Sequence, residues 1–292
     1  MDTWWILVDN PQKRETAQRD ILSARHIGLD TEYDSFRYFR EKLCLIQIST
    51  ESRVYLFDPL LDIDLSFLGE VSADPATAKI IHACDNDVRL LNRDYGFRFT
   101  NIFDTYRAAS LLGVTPLSLK SIMEGCLGVE LKKTKKVQRS RWDVRPLTDE
   151  QLEYAALDAR HLIDLYHFLK ERLIENSLEE AAQEAFDKMT RVKWHEKTFN
   201  PKGFSTIDGY DDLEECQKLR LKKLFHWRFE TARKTNTASF LVLSDLAIME
   251  LSKEETGTVE SLSEAGILSA KKVKSFGAEI IKILRKQVKK AP

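Results

Sequence analysis

Apolar positions in the first sixty residues fall into short blocks rather than helical stripes. Residues 4–8, 26–33, 42–50 and 53–58 each read as strands, and the last three are separated only by short polar breaks. Such spacing predicts neighbouring antiparallel strands. The first block runs into Asp9, Asn10 and Pro11, the signals of a helix capped near Asp9 or Asn10. A further strand is predicted over 79–84, followed by a helix over 86–95 that Gly96 stops. A short strand over 101–103 leads into a helix over 105–112, and the helix over 119–127 ends at Gly128. From Thr148 the period changes to a sustained helical one. Thr148 with Gln151 fits a capping box, and Leu152, Ala155, Ala156, Ala159, Leu162, Ile163, Tyr166 and Leu169 have helical spacing, predicting a long helical region from Thr148. Strands come early and helices pack around them, so the first domain, 1–190, is predicted to be an α/β sandwich with a mixed sheet.

Asn200-Pro201, Lys202-Gly203 and Asp208-Gly209 mark 191–210 as a linker. Beyond it, 211–292 reads as all helical. Leu221, Leu224, Phe225 and Ala232 share one helix face, and Ser244, Thr258 and Ser269 are N-cap candidates for three shorter helices.

Composition changes this picture little. The 292 residues are 43% hydrophobic and 31% charged, enough for two packed domains. A net charge of -1 means that any nucleic-acid surface must be local. Cys44, Cys84, Cys126 and Cys216 show no zinc-ligand spacing, which fits reduced thiols. With no secretion signal and no apolar stretch of membrane-spanning length, a soluble cytoplasmic protein without a membrane partner is expected.

Three places carry candidate chemistry. Asp30 and Glu32 alternate along a strand, so they share a face, and two adjacent carboxylates repel unless a cation lies between them. A solvated strand end is the plainer reading of that pair alone. Tyr154 and Asp158 lie one turn apart on a helix, amid alanines that permit close approach to a sheet; a core-edge tyrosine beside an exposed aspartate is the alternative. In His82-Ala83-Cys84-Asp85-Asn86-Asp87, Asp85 suits an N-cap, while Asp87 in the first helical turn suits either the helix dipole or a site. His82 reads as a structural histidine.

Taken in order, Asp30-Thr31-Glu32 on a strand, Asp87 on a later helix and Tyr154 to Asp158 on another helix resemble the DEDDy 3′→5′ exonucleases. Leu29-Asp30-Thr31-Glu32, Ile81-His82-Ala83, Phe103-Asp104-Thr105, Arg145-Pro146-Leu147-Thr148 and Glu153-Tyr154-Ala155-Ala156 narrow the resemblance to ribonuclease D over about 25–175. Tyr33 stands where that family commonly has Phe. Trp227-Arg228, Ala232-Arg233, Phe240 to Asp245 and Phe276 to Ile280 resemble one HRDC domain over about 211–288, where some members carry two.

The resemblance implies a ribonuclease H-like exonuclease fold followed by a small all-α domain. It implies two divalent ions, Mg²⁺ or Mn²⁺, held by Asp30, Glu32, Asp87 and Asp158. Asp30 would bridge both; Glu32 and Asp158 would complete the ion carrying the attacking water; Asp87 would serve the second, directly or through water. Tyr154 would orient the water, and Asp104 would be a structural or supporting group. The implied substrate is RNA with a single-stranded 3′ end, such as a transfer-RNA precursor, trimmed to nucleoside 5′-monophosphates, with no obligate protein partner. Between 131 and 142, Lys132, Lys133, Lys135, Lys136, Arg139 and Arg141 occur with no acidic residue and end in Trp142. This segment is either a solvated charge run or an RNA contact with Trp142 as a stacking group. A DNA exonuclease of the same chemistry and a non-catalytic nucleic-acid-binding protein are the competing readings.

Overall fold

The computed structural model describes residues 4–130, 135–255 and 257–285. It divides into two compact units, one of residues 1–34 with 42–195 and one of 35–41 with 196–292.

The first unit contains β1 (Trp5–Val8), α1 (Pro11–Ser23), β2 (His26–Asp34), β3 (Lys42–Ser49), β4 (Val54–Phe57), α2 (Ser66–Ala73), β5 (Ala78–Ile81), α3 (Asp85–Tyr95), β6 (Ile102–Asp104), α4 (Thr105–Leu111), α5 (Leu119–Leu127), α6 (Lys135–Gln138), α7 (Asp149–Arg160), α8 (Leu162–Glu175) and α9 (Glu179–Met189). The strands make one mixed sheet in the order β1-β4-β3-β2-β5-β6. As the short breaks predict, β2–β3 and β3–β4 are antiparallel. The pairs β1–β4, β2–β5 and β5–β6 are parallel.

Side-chain alternation splits the sheet into two apolar layers. Ile27, Leu29, Ile46, Ile48, Tyr55 and Phe57 pack on one side with Val88 and Leu91 of α3. Leu45, Val54 and Leu56 pack on the other with Ala155, Ala156 and Ala159 of α7. The predicted caps form: Asn10 accepts from Lys13 N, Gly96 and Gly128 end their helices in the left-handed region, and Thr148 and Gln151 make the capping box.

The helical region expected from Thr148 forms as two consecutive helices, α7 and α8, divided at His161. The apolar period continues across the break, so the pattern does not register it. The physical cause lies in the sheet: Ser49 Oγ donates to the Ala159 carbonyl at 2.8 Å, so a side chain occupies the helical hydrogen-bond ladder at this point. Asp85 is the first residue of α3 and not its cap, which is Cys84; Arg107 takes the Asp85 carboxylate instead, both oxygens at 3.0 Å.

The second unit contains a 3₁₀ turn (Gly203–Thr206), α10 (Glu215–Thr235), α11 (Ser239–Val242), α12 (Asp245–Lys253), α13 (Val259–Glu264) and α14 (Ala270–Arg285). Leu221, Leu224 and Ala232 are fully buried in its core, and Phe225 packs against it. Ser244 and Thr258 cap their helices. Ile207, inside the segment expected to be linker, is buried in this core.

The β2–β3 connection, expected with the first domain, is part of this second unit. Phe39 is 3% exposed and meets Phe229 edge-on at 5.2 Å. Ala238 N donates to the Arg37 carbonyl at 2.9 Å, and Asn236, in the left-handed region, accepts from Arg40 N at 2.8 Å. Among the described residues no helix is long and apolar enough to cross a membrane.

Candidate active site

β2 brings Asp30 and Glu32 to the face covered by α7, opposite Gln47 and Leu45 of β3. The register shifts between Glu32 and Tyr33.

α7 lies close to β2 because nothing at the contact is large. A Cβ on Gly28 would lie 2.3 Å from Ser49 Oγ, 2.9 Å from Leu162 Cβ and 3.1 Å from the Ala159 carbonyl oxygen. Ala155, Ala156 and Ala159 are completely buried against the sheet. The start of α7 is tied down separately. Arg145 forks onto Asp58, with one contact at 2.7 Å, and also donates to the carbonyls of Cys44 at 2.6 Å and Trp142 at 2.7 Å. Gln151 Nε2 reaches Ser140 Oγ at 2.9 Å. A helix clamped this way places Tyr154 and Asp158, one turn apart on one face, over the β2 carboxylates.

Asp30, Glu32 and Asp158 converge. One carboxylate oxygen from each lies within 4.8 Å of the others, with Asp158 buried and the other two half-buried. Such a group is an all-oxygen donor set suited to hard divalent cations. Tyr154 belongs to the same neighbourhood. Burial, then the charges of Glu32 and Asp30, push its hydroxyl far above the usual range, so it stays protonated.

Asp87 stands apart from that trio. It lies in the first turn of α3, buried, and accepts a 2.5 Å hydrogen bond from Thr31 Oγ1. Burial, then the nearby charge of Asp30, push its carboxyl well above the carboxylate range. Asp87 is thus linked electrostatically to Asp30, while the oxygens that converge belong to Asp30, Glu32 and Asp158.

Asp104 ties down the turn from which α3 starts. It is completely buried and accepts from the N–H groups of Ala83 at 3.1 Å and Cys84 at 3.2 Å, the turn that starts α3. It also accepts from Tyr106 N at 2.9 Å and from the Arg107 guanidinium. Ala83 has φ of +53°, a strained value for a residue with a Cβ, and these bonds hold it there. His82 meets Thr105 Oγ1 at 3.0 Å.

The basic segment is reduced. Lys132 and Lys133, together with the side chain of Lys135, lie outside the described residues. Lys136 and Arg139 are exposed, whereas Arg141 is paired with Asp143 at 2.7 Å. Trp142 is corrected outright. It is 2% exposed, lies 6.1 Å from the Tyr154 ring and donates from Nε1 to the Gln138 carbonyl at 3.3 Å. A ring enclosed in the core offers no face to a base; it supports Tyr154.

Sequence reading passed over Thr31, which secures Asp87, and Ser49, which secures α7. Thr31 does leave a signal: it is the polar residue in the otherwise apolar alternation Ile27, Leu29, Thr31. Ser49 leaves none, because its partner is a backbone carbonyl 110 residues away.

The sequence matches the family described as 3′-5′ exonuclease over residues 6–174, and the HRDC domain over 217–284. Ribonuclease D of Desulfotalea psychrophila is 30% identical over 256 residues, covering 87% of this chain and 68% of that protein. This chain belongs to the ribonuclease D family of 3′-5′ exonucleases. The exosome complex component 10 homologue of Caenorhabditis elegans is 32% identical over 257 residues, which are 86% of this chain but 29% of that protein. The chain therefore spans under a third of that longer relative. The catalytic core of RRP6 from Trypanosoma brucei superimposes with a TM-score of 0.88 at 23% identity, over 97% of this chain and 79% of that one, a likeness of fold. Within the 3′-5′ exonuclease match, 6–174, lie all five residues of the carboxylate and tyrosine group.

Proposed function

We propose that this chain is a divalent-metal-dependent 3′→5′ exoribonuclease that trims RNA 3′ ends to nucleoside 5′-monophosphates. One observation carries the reading: the Asp30, Glu32 and Asp158 oxygens lie within 4.8 Å of one another beside the Tyr154 hydroxyl, in a chain of the exonuclease family. Asp30, Glu32 and Asp158, with Asp87 directly or through water, are the residues to hold two ions, Mg²⁺ or Mn²⁺. Such ions, when bound, supply charge stabilisation to the attacking and leaving oxygens of the phosphodiester.

The chain's own groups do the rest. Burial and the charges of Glu32 and Asp30 raise the Tyr154 hydroxyl above the usual tyrosine range, which suits it to orient the attacking water by hydrogen bonding rather than to act as a base. The close approach of α7 to β2 sets the spacing of Asp158 from Asp30 and Glu32. Lys136 and Arg139 are available to contact backbone phosphates.

Transfer-RNA precursors with single-stranded 3′ ends fit such a site as substrates, and the second unit fits a role in holding structured RNA. The exosome-named relatives are members of an assembly, whereas this chain is read as acting without an obligate protein partner in the cytoplasm. Matched RNA and DNA oligomers, incubated with Mg²⁺ or with chelator and sized, test the proposal. Stepwise loss of RNA 3′ nucleotides only in Mg²⁺ is expected. Preference for the DNA oligomer would make this a DNA exonuclease, and no loss from either would leave a binding protein.

A further inference from the structure

Gln47 lies in the middle of β3, in the run Leu43-Cys44-Leu45-Ile46-Gln47-Ile48, and is completely buried. Neither its Oε1 nor its Nε2 has a hydrogen-bond partner among the described residues. A buried amide in that state forfeits the bonds it would make with water, and an apolar residue of similar size would avoid the loss. The amide therefore stands against the interest of folding, and a use for it has to be found nearby.

The register shows where. Gln47 pairs with Asp30 on one side and Leu56 on the other. Directly opposed residues of antiparallel strands project from the same face with their Cβ atoms about 5 Å apart. On that face Leu45, Val54 and Leu56 belong to the apolar layer under α7. Ser49, the next polar residue along the face, already donates to the Ala159 carbonyl. Asp30 is thus the ionisable cross-strand neighbour of Gln47, and it is also the carboxylate whose charge raises both Asp87 and Tyr154.

We propose that Gln47 is the positioning residue for Asp30: when a divalent ion is bound at Asp30, the otherwise unpartnered Gln47 amide would donate to the outer lone pairs of that carboxylate and fix its orientation. A carboxylate that is to bind a divalent ion is oriented by hydrogen bonds to its outer lone pairs. An amide suits this task in an acidic site because it donates without adding charge. A lysine in its place would pair with Asp30 and compete with the ion, and a glutamate would add repulsion. The inference rests on the metal-binding reading of Asp30, Glu32 and Asp158.

The test uses the full chain and Mn²⁺ itself as probe. Gln47→Met keeps the volume and removes both polar atoms. Free Mn²⁺ is followed by electron paramagnetic resonance during titration of wild type and variant, with melting temperature recorded in chelator. Affinity for Mn²⁺ is expected to fall roughly 10- to 100-fold, the usual loss for an outer-sphere partner, while the metal-free melting temperature stays level or rises. The Michaelis constant for an RNA oligomer should change little at saturating Mn²⁺. Mn²⁺ affinity within about twofold of wild type in a folded variant would overturn the inference, leaving Gln47 a core residue. Should Gln47→Met not fold, Gln47→Leu carries the same comparison. Wild-type protein that binds no Mn²⁺ would overturn the metal reading, an outcome that the wild-type titration alone reveals.

Discussion

Two groups of acidic side chains meet near the start of α3, and they are built on opposite principles. Around Asp104 every charge has an answer: backbone N–H groups and the Arg107 guanidinium surround it, and Arg107 also takes Asp85. Around Asp30 the carboxylates face one another. Asp30, Glu32 and Asp158 present oxygens within 4.8 Å, and the charges that act on Tyr154 are Glu32 and Asp30. A buried acid that is paired and hydrogen-bonded contributes to structure, and removing it strands its partners. Carboxylates brought this close to one another are characteristic of sites that bind a ligand.

Substitutions in the two groups should therefore split cleanly. Asp30→Ala or Asp158→Ala is expected to reduce hydrolysis of an RNA oligomer on the order of 10³-fold or more, with melting temperature in chelator unchanged or raised. A variant retaining near-wild-type rate, with contaminating nuclease excluded, would remove these residues from the site. Asp104→Ala should do the reverse. Loss of this buried acid leaves the Ala83–Cys84 turn without its acceptor and Arg107 with Asp85 alone, at a cost of roughly 3 kcal/mol, read by denaturant unfolding. Activity would fall only as far as the fold does. An Asp104→Ala protein of full stability but no activity would mean that both acidic groups are catalytic.

Tyr154→Phe tests the comparison at a smaller scale, since it removes one hydroxyl and keeps the ring against Trp142. About a 10²-fold fall in kcat with little change in KM or melting temperature is expected. A loss of stability with kcat intact would return Tyr154 to the core. The smallest effect should come from Lys136→Gln with Arg139→Gln. Each phosphate contact removed lowers the slope of log affinity against log salt by about 0.7, so an unchanged slope would mark these two as plain surface.

Elements with a strong local period are legible in the chain itself. The strands over 26–58, the helix stopped by Gly96, the helix ended by Gly128 and the Thr148 capping box depend on residues within a few positions of one another. Local geometry makes legible only that Asp30 with Glu32, and Tyr154 with Asp158, each share a face; that the pairs belong to one site follows from the resemblance of their order along the chain to the DEDDy exonucleases. Trp142 misleads on local pattern: its basic neighbours suggest surface, while its burial depends on α7 packing across it.

Phe39 shows what local pattern leaves undecided. It stands between two strands of the first unit, yet it is buried in the core of the second. Chain order makes it a loop residue, and the choice of core comes from contacts with residues far along the chain, such as Phe229. The same holds at the candidate site. Residue types and their spacing along strand and helix follow from the chain alone, since backbone geometry repeats over two or four residues. The 4.8 Å convergence of Asp158 on Asp30 and Glu32, the bond from Thr31 to Asp87 and the contact of Ser49 with Ala159 all join elements distant in the chain. Those depend on how closely α7 and α3 can approach the sheet. That distance is a matter of side-chain volume at Gly28, Ala155, Ala156 and Ala159, which the chain specifies but only packing converts into position.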